Sequence, residues 1–405
     1  MYIFYFISFI AFYYFVCKKR KFDFFSISYL SSLIYFSPAF FGRVSYRSNF
    51  IRISEKMIDE VYYVYFFVLF SLIFFAFMYD KTKTKIEDEE INKNYSLGVV
   101  SIFLSIILLI LLIASQGSNL LNPNKGELML ELGLFMNLFI YSSLFSFVIS
   151  FLNGQKKILF IAILLQLFIM LIGFRFPLVI SLACIVLAKV SSLKRIRLIK
   201  YKKSIFFSVL FLVLILVFKQ FIYAIKQGDF ELIISLLNNQ DYLMDALIYA
   251  EPFETQSILN EVIKTNFEVP LSHLDQFLAF FIFESTTLGI DISSFNSYFQ
   301  HRLFPGVRSG MASNIWAQFF AIGSFYGVAL FVIFYNLIVI FLNNLLTTKS
   351  VILKSVILIT GIFWCFYLQR NDLSYIFSTQ KKILLFGLGL ALLTKLFFSA
   401  KSTKK

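Results

Sequence analysis

The sequence predicts an all-α polytopic membrane protein, and three observations carry that prediction. Of 405 residues 59% are hydrophobic and only 15% charged, with phenylalanine alone occurring 55 times, whereas a soluble domain has roughly a quarter of its residues charged. The apolar residues fall in uncharged runs of about 20, the length that crosses a hydrocarbon core of about 30 Å at about 1.5 Å per residue. The runs lack the alternation of barrel strands, and in lipid each backbone polar group must be paired within its own segment, so they are helices.

Taken in order, spans are expected at 2–17, 22–41, 61–79, 96–115, 132–152, 158–173, 176–190, 204–224, 313–342, 351–369 and 383–400, eleven in all. The first lacks the basic n-region and small-residue cleavage site of a signal peptide, so it reads as a retained span. The ninth is too long for one upright helix, and Gly323 and Gly327 can break it into a half-helix and a full span. A count of twelve is therefore the alternative. The chain divides into a helix bundle at 1–224, a large loop at 225–311 and C-terminal spans at 312–405.

Charge fixes the expected orientation. The net charge of +14 comes in short clusters between apolar runs, which is a topology signal and excludes nucleic acid as a partner. Lys18-Lys19-Arg20-Lys21, then Lys81, Lys83, Lys85 and Lys93, Lys156-Lys157, seven Lys or Arg from Lys189 to Lys203, Lys349 and the Lys-rich tail share one side. By the positive-inside rule that side is cytoplasmic, with the N-terminus outside. Two features disagree: the 42–60 loop carries Arg43, Arg47, Arg52 and Lys56, and Lys381-Lys382 opens the last span from outside. The 225–311 loop then lies outside; it holds eleven of the 23 acidic residues and four Lys or Arg. Its stretches Glu231–Tyr249 and Leu274–Phe283 suit helices lying at the headgroup boundary, and a loop this long with structure of its own is usually functional.

Chemistry-bearing signatures are few. There is no P-loop, GxGxxG, HExxH, GxSxG or Asp-x-Asp, which argues against a nucleotide-dependent cytosolic enzyme. Cys17, Cys184 and Cys365 lie in or at the ends of apolar runs as buried small hydrophobes, and Glu87-Asp88-Glu89-Glu90 reads as a solvated loop. His273 and His301 show no ligand spacing, so neither metal nor cofactor is expected. More informative are arginines at the outer ends of spans. Arg175, in Gly173-Phe174-Arg175-Phe176-Pro177, sits between two apolar runs, where it either anchors the turn or binds an anion. His301-Arg302-Leu303-Phe304-Pro305-Gly306-Val307-Arg308 closes the large loop and could meet Arg175 in one cavity. Gln369-Arg370-Asn371-Asp372 precedes the last span; there Arg370 and Asp372 can pair with each other or serve a site. The planar guanidinium makes bidentate, permanently charged contacts with phosphate, so several converging arginines would cradle a diphosphate.

In this layout, and in Gly173–Pro177, Phe304–Gly327 and Leu368–Asp372, the chain resembles the Wzy-type O-antigen polymerases. The part that carries it most is Ser309-Gly310-Met311-Ala312-Ser313-Asn314 running into Gly323 and Gly327. The resemblance implies a metal-independent glycosyltransferase of a bacterial inner membrane, active on its periplasmic face in lipopolysaccharide biosynthesis. Its donor and acceptor would be undecaprenyl-diphosphate-linked oligosaccharides within the lipid. A chain-length regulator and a flippase of the same pathway would be its protein partners. It further implies Arg175, Arg302, Arg308 and Arg370 as phosphate contacts, with Glu284, Asp372 or His301 as base for the acceptor hydroxyl. A lipid-linked oligosaccharide flippase and an O-antigen ligase are the competing readings. A flippase would show repeated bundles and mid-span charges, whereas this chain has one dominant loop and no visible repeat.

Overall fold

The structure is a computed structural model and describes residues 1–48, 51–82, 91–121, 133–191, 195–201, 203, 229–238, 250–281, 293–307 and 311–399. Helices occupy each expected span except 204–224, which lies outside the described residues. Four are long and apolar enough to cross a membrane: Asp59–Thr82, Tyr95–Gln116, Phe135–Asn153 and Ile315–Leu345. Others are apolar but shorter, among them Tyr2–Cys17, Phe24–Tyr35, Phe176–Ser191 and Val351–Cys365. The chain is an α-helical protein of membrane character.

In chain order the helices are α1 (Tyr2–Phe12, continued by a π-helical turn Tyr13–Cys17), α2 (Phe24–Tyr35), α3 (Ser37–Phe41), α4 (Asp59–Thr82), α5 (Tyr95–Gln116), α6 (Gly133–Asn153), α7 (Lys156–Ile172) and α8 (Phe176–Ser191). They continue with α9 (Phe230–Asn238), α10 (Glu251–Lys264), α11 (Phe295–Leu303), α12 (Ile315–Leu345), α13 (Val351–Cys365) and α14 (Leu373–Ser399), with 3-10 turns at Leu271–Phe280 and Tyr367–Arg370. The 42–60 segment, expected as a loop, is an antiparallel hairpin of β1 (Arg43–Ser48) and β2 (Ile51–Lys56). Its alternation is short and charge-rich, which hides it beside long apolar runs.

The charged connections gather at one end of the bundle. Arg20 binds Asp80 of α4 through Nε at 3.2 Å and Asp23 through Nη1 at 3.1 Å, and Tyr14 donates to Asp80 at 2.7 Å. Asp23 in turn caps α2 by accepting from the Ser26 N–H. The Phe24 N–H donates to Asn343 at the end of α12, Asn153 ends α6 against the start of α5 at Asn94, and Asn92 pairs with Lys349 before α13. Lys18–Lys21, Lys81, Lys93, Lys156 and Lys349 therefore share that end, as the sequence pattern requires. The N-terminal amine beside Asp59, the hairpin and α10 mark the opposite end.

Two features shape the interior of that opposite end. First, α12 is broken at Gly323 and Ser324, the latter at φ 53°, a conformation that costs a non-glycine residue about 1–3 kcal/mol. Phe319 stacks on Phe331 at 4.0 Å and Trp316 meets Tyr335 at 6.1 Å, although residues twelve apart on a straight helix are about 18 Å apart. The first eight residues thus fold back along the rest as a half-helix, which agrees with the break expected from the glycines. Gly327 permits it, because a Cβ there would lie 2.2 Å from the Phe319 carbonyl oxygen. Second, α2 has 12 residues and α13 has 15, against 24 in α4, or about 18, 22 and 36 Å of rise. Starting from the same end as α4's last turn, α2 and α13 stop well inside the bundle.

Candidate functional site

A polar layer lies at the ends of these short helices. α2 ends on Tyr35, and α13 gives way to the 3-10 turn bearing Gln369 and Arg370. The turn from α7 to α8 is made by Gly173 at φ 118°, a left-handed position that glycine reaches without a Cβ clash. Pro177 is the second residue of α8, where its missing N–H removes no helical bond. Arg175 lies between the two. From the large loop comes α10, which opens on Glu251-Pro252 with Glu254 in its first turn, acidic residues that complement the helix dipole.

Glu251 is the hub. One of its oxygens accepts from the Tyr35 hydroxyl at 2.7 Å and the other from Arg370 Nη1. The Arg370 guanidinium also lies over the Tyr367 ring at 5.2 Å, a cation–π geometry. Burial opposes the charge on Arg370, but Tyr367, Glu251 and Tyr35 outweigh it and hold its pKa above the usual arginine range. Arg175 feels the same groups: burial pushes its pKa down, Glu251 acts upward and Arg370 downward. Arg175 and Arg370, far apart in sequence, therefore both lie within electrostatic reach of one carboxylate. Arg370 Nε is buried and has no hydrogen-bond partner among the described residues, so this guanidinium keeps unspent donor capacity.

Amide side chains surround the hub. Asn314 caps the α12 half-helix by accepting from the N–H groups of Trp316 and Ala317, and donates to the Thr255 carbonyl at 2.9 Å. Gln256 accepts from Tyr65 at 2.7 Å, and Trp316 Nε1 donates to Gln369 at 2.7 Å. Gln318 joins Gln276, whose Nε2 meets His273 at 2.9 Å. Such networks fix a unique arrangement when satisfied and are costly where they are not. Thr255 Oγ1, Gln256 Nε2, Asn260 Nδ2 and Ser313 Oγ are buried without a partner among the described residues. Polar density of this kind within an apolar bundle marks the site.

No protein-family model, curated protein or solved structure matches this chain.

Of the residues singled out by sequence, Arg175 and Arg370 are brought together. Asp372 is placed differently from the expected partner of Arg370. It accepts from Ser374 Oγ at 2.8 Å and from the N–H groups of Tyr375 at 2.9 Å and Phe295 at 2.8 Å. One carboxylate thus caps α14 and pins the start of α11, while Arg370 turns to Glu251. His301 and Arg302 lie exposed in the last turn of α11, where positive charge complements the helix dipole. They form no ion pair among the described residues. Arg308 and Glu284 lie outside the described residues. Of the two interfacial stretches expected in the loop, Phe230–Asn238 is helical and Leu271–Phe280 forms a 3-10 helix, while 239–249 and 282–283 lie outside the described residues.

Sequence reasoning missed Glu251, Tyr35 and the buried polar face of α10. A signal for α10 was present: Pro at the start, Glu251 and Glu254 in the first turn and Lys264 in the last are helix start and stop marks.

Proposed function

We propose that this protein polymerises undecaprenyl-diphosphate-linked oligosaccharide repeat units at the periplasmic face of a bacterial inner membrane. In this reading the chain has eleven spans, the basic end faces the cytoplasm, and the 225–311 loop lies outside. The observation that carries the proposal is the Arg175–Glu251–Arg370 arrangement at the end of the bundle away from the basic connections. Two guanidiniums within electrostatic reach of one carboxylate leave a net positive centre, in a polar layer shielded by apolar helices, where charge–charge attraction is stronger than in water.

In the reaction an acceptor sugar hydroxyl attacks the anomeric carbon of the donor glycan. The new C–O bond forms as the bond to the lipid diphosphate breaks, the diphosphate leaves with that electron pair, and the hydroxyl proton passes to a base. Negative charge grows on the departing oxygen, and preorganised cations stabilise that growth most. Arg175 and Arg370 take this role. With Asp372 committed to two helix ends, His301 and Glu284 remain as the sequence-derived candidates for the base.

The test is the length distribution of surface lipopolysaccharide in a strain lacking the gene. Core carrying a single repeat unit, with no ladder, supports polymerisation. Core without any repeat unit would instead indicate a ligase or flippase, and an unchanged ladder would exclude all three.

A further inference from the structure

The hairpin carries the charges that disagree with the positive-inside pattern, and its register sorts them. Arg43 lies opposite Lys56, Ser45 opposite Ser54, and Arg47 opposite Arg52. Directly opposed residues share a face, so one face holds two cross-strand pairs of like charge, an arrangement that destabilises a two-stranded ribbon. Arg43, Arg47 and Lys56 are exposed, and none forms an ion pair among the described residues. The hairpin's acid, Glu55, belongs to the other face and is bound to Lys264 of α10 at 3.0 Å. That other face also buries Val44 and sets Tyr46 edge-on against Phe304 at 4.9 Å. The neutralised side therefore packs on the protein; on the cation face Ser45 is buried as well, while Arg43, Arg47, Ser54 and Lys56 are exposed.

Position identifies what they meet. β1 starts after α3, whose Phe40 and Phe41 are 43% and 70% exposed, and β2 leads into α4, a helix long enough to cross a membrane. Exposed aromatic rings beside cations at the end of such a helix form an anchor at headgroup level, with rings in the interface and cations toward phosphates. We propose that the exposed cations of this face are a docking surface for anionic phospholipid headgroups, with a phosphate shared between Arg43 and Lys56. The shared phosphate replaces a repulsion by two charge-assisted hydrogen-bonded contacts.

The proposal is independent of the polymerase reading and is tested on the full chain in lipid nanodiscs by amide hydrogen exchange. In discs of phosphatidylcholine containing phosphatidylglycerol, exchange over 43–56 is expected to be about three- to tenfold slower than in phosphatidylcholine alone. Neutralising the face with Arg43→Gln, Arg47→Gln, Arg52→Gln and Lys56→Gln should make hairpin exchange equal in the two lipids. Equal wild-type rates in both lipids would overturn the proposal, as would lipid-dependent slowing that persists in the neutralised protein. Slowing by soluble polyglutamate but not by phosphatidylglycerol would overturn it in favour of a soluble acidic partner. The wild-type comparison stands even if the variant does not fold.

Discussion

Replacing Glu251 by Gln removes the charge that binds Arg370 and acts on Arg175 while leaving the side-chain shape almost unchanged. The amide oxygen can still accept from Tyr35, but the bond from Arg370 loses its anionic acceptor and keeps only the guanidinium's charge, and Arg175 loses the Glu251 charge that acts on it. A contact ion pair near a protein surface is worth about 4 kcal/mol of Coulomb energy at an effective dielectric of about 20. Desolvation and solvent offset part of it; with Glu251 20% and Arg370 28% exposed, a net loss of about 2 kcal/mol is expected. Thermal unfolding in detergent micelles, followed by intrinsic fluorescence, should show a midpoint lowered by several degrees. A double-mutant cycle with Arg370→Gln isolates the pair and should give a coupling of at least about 1 kcal/mol. Additive effects, with no coupling, would refute the hub.

Further outcomes follow from other contacts. Arg20→Leu strands the buried Asp23 and the partly buried Asp80 without their cation, so about 3–5 kcal/mol of stability should be lost, read as a large drop in unfolding midpoint; adding Asp23→Asn should recover part of it. Gly327→Ala drives a methyl against the Phe319 carbonyl, and a cost of about 1–3 kcal/mol is expected; an unchanged midpoint would show that the half-helix does not pack closely on the rest of α12. The clamp of α10 on the hairpin should depend on pH. Burial alone would raise Glu55, but hydrogen bonds from Lys264 and Glu261 hold it below its usual 4.5, so its contribution is present above that value and is lost as pH falls through the lowered pKa. Bonds to Glu55 and Glu261 push Lys264 up to about 12 from 10.5, so its contribution is full below 10.5 and is lost as pH rises through about 12. Limited proteolysis of the hairpin should therefore be slowest between these limits, and Lys264→Met should remove the alkaline limb and weaken the acid one.

Much of the fold was legible because apolar run length is a direct consequence of bilayer thickness, and runs such as 61–79 and 96–115 have no other use. The break in α12 was legible too, since Gly323 and Gly327 interrupt a run too long to stand as one helix. The hairpin was not, because its apolar positions are few and its register is set by packing on α10. In the site, Arg175 and Arg370 were visible as isolated charges at span ends, whereas their meeting depends on how far α2 and α13 rise before stopping. Glu251 escaped notice because nothing local separates it from the other acids of the loop; only its contact with Tyr35 and Arg370 does. Asp372 looked like a reactive or paired carboxylate, yet the N–H groups of two helix starts claimed it.

The most direct test of the central claim is the lipopolysaccharide ladder from cells carrying Arg175→Ala, Arg370→Ala or Arg175→Lys in place of the wild-type protein, with membrane levels matched by immunoblot. If the two guanidiniums together stabilise a departing diphosphate, both alanine variants should leave core with a single repeat unit, and lysine should restore only a weak, short ladder. A full-length ladder from either alanine variant at wild-type protein level would contradict the account.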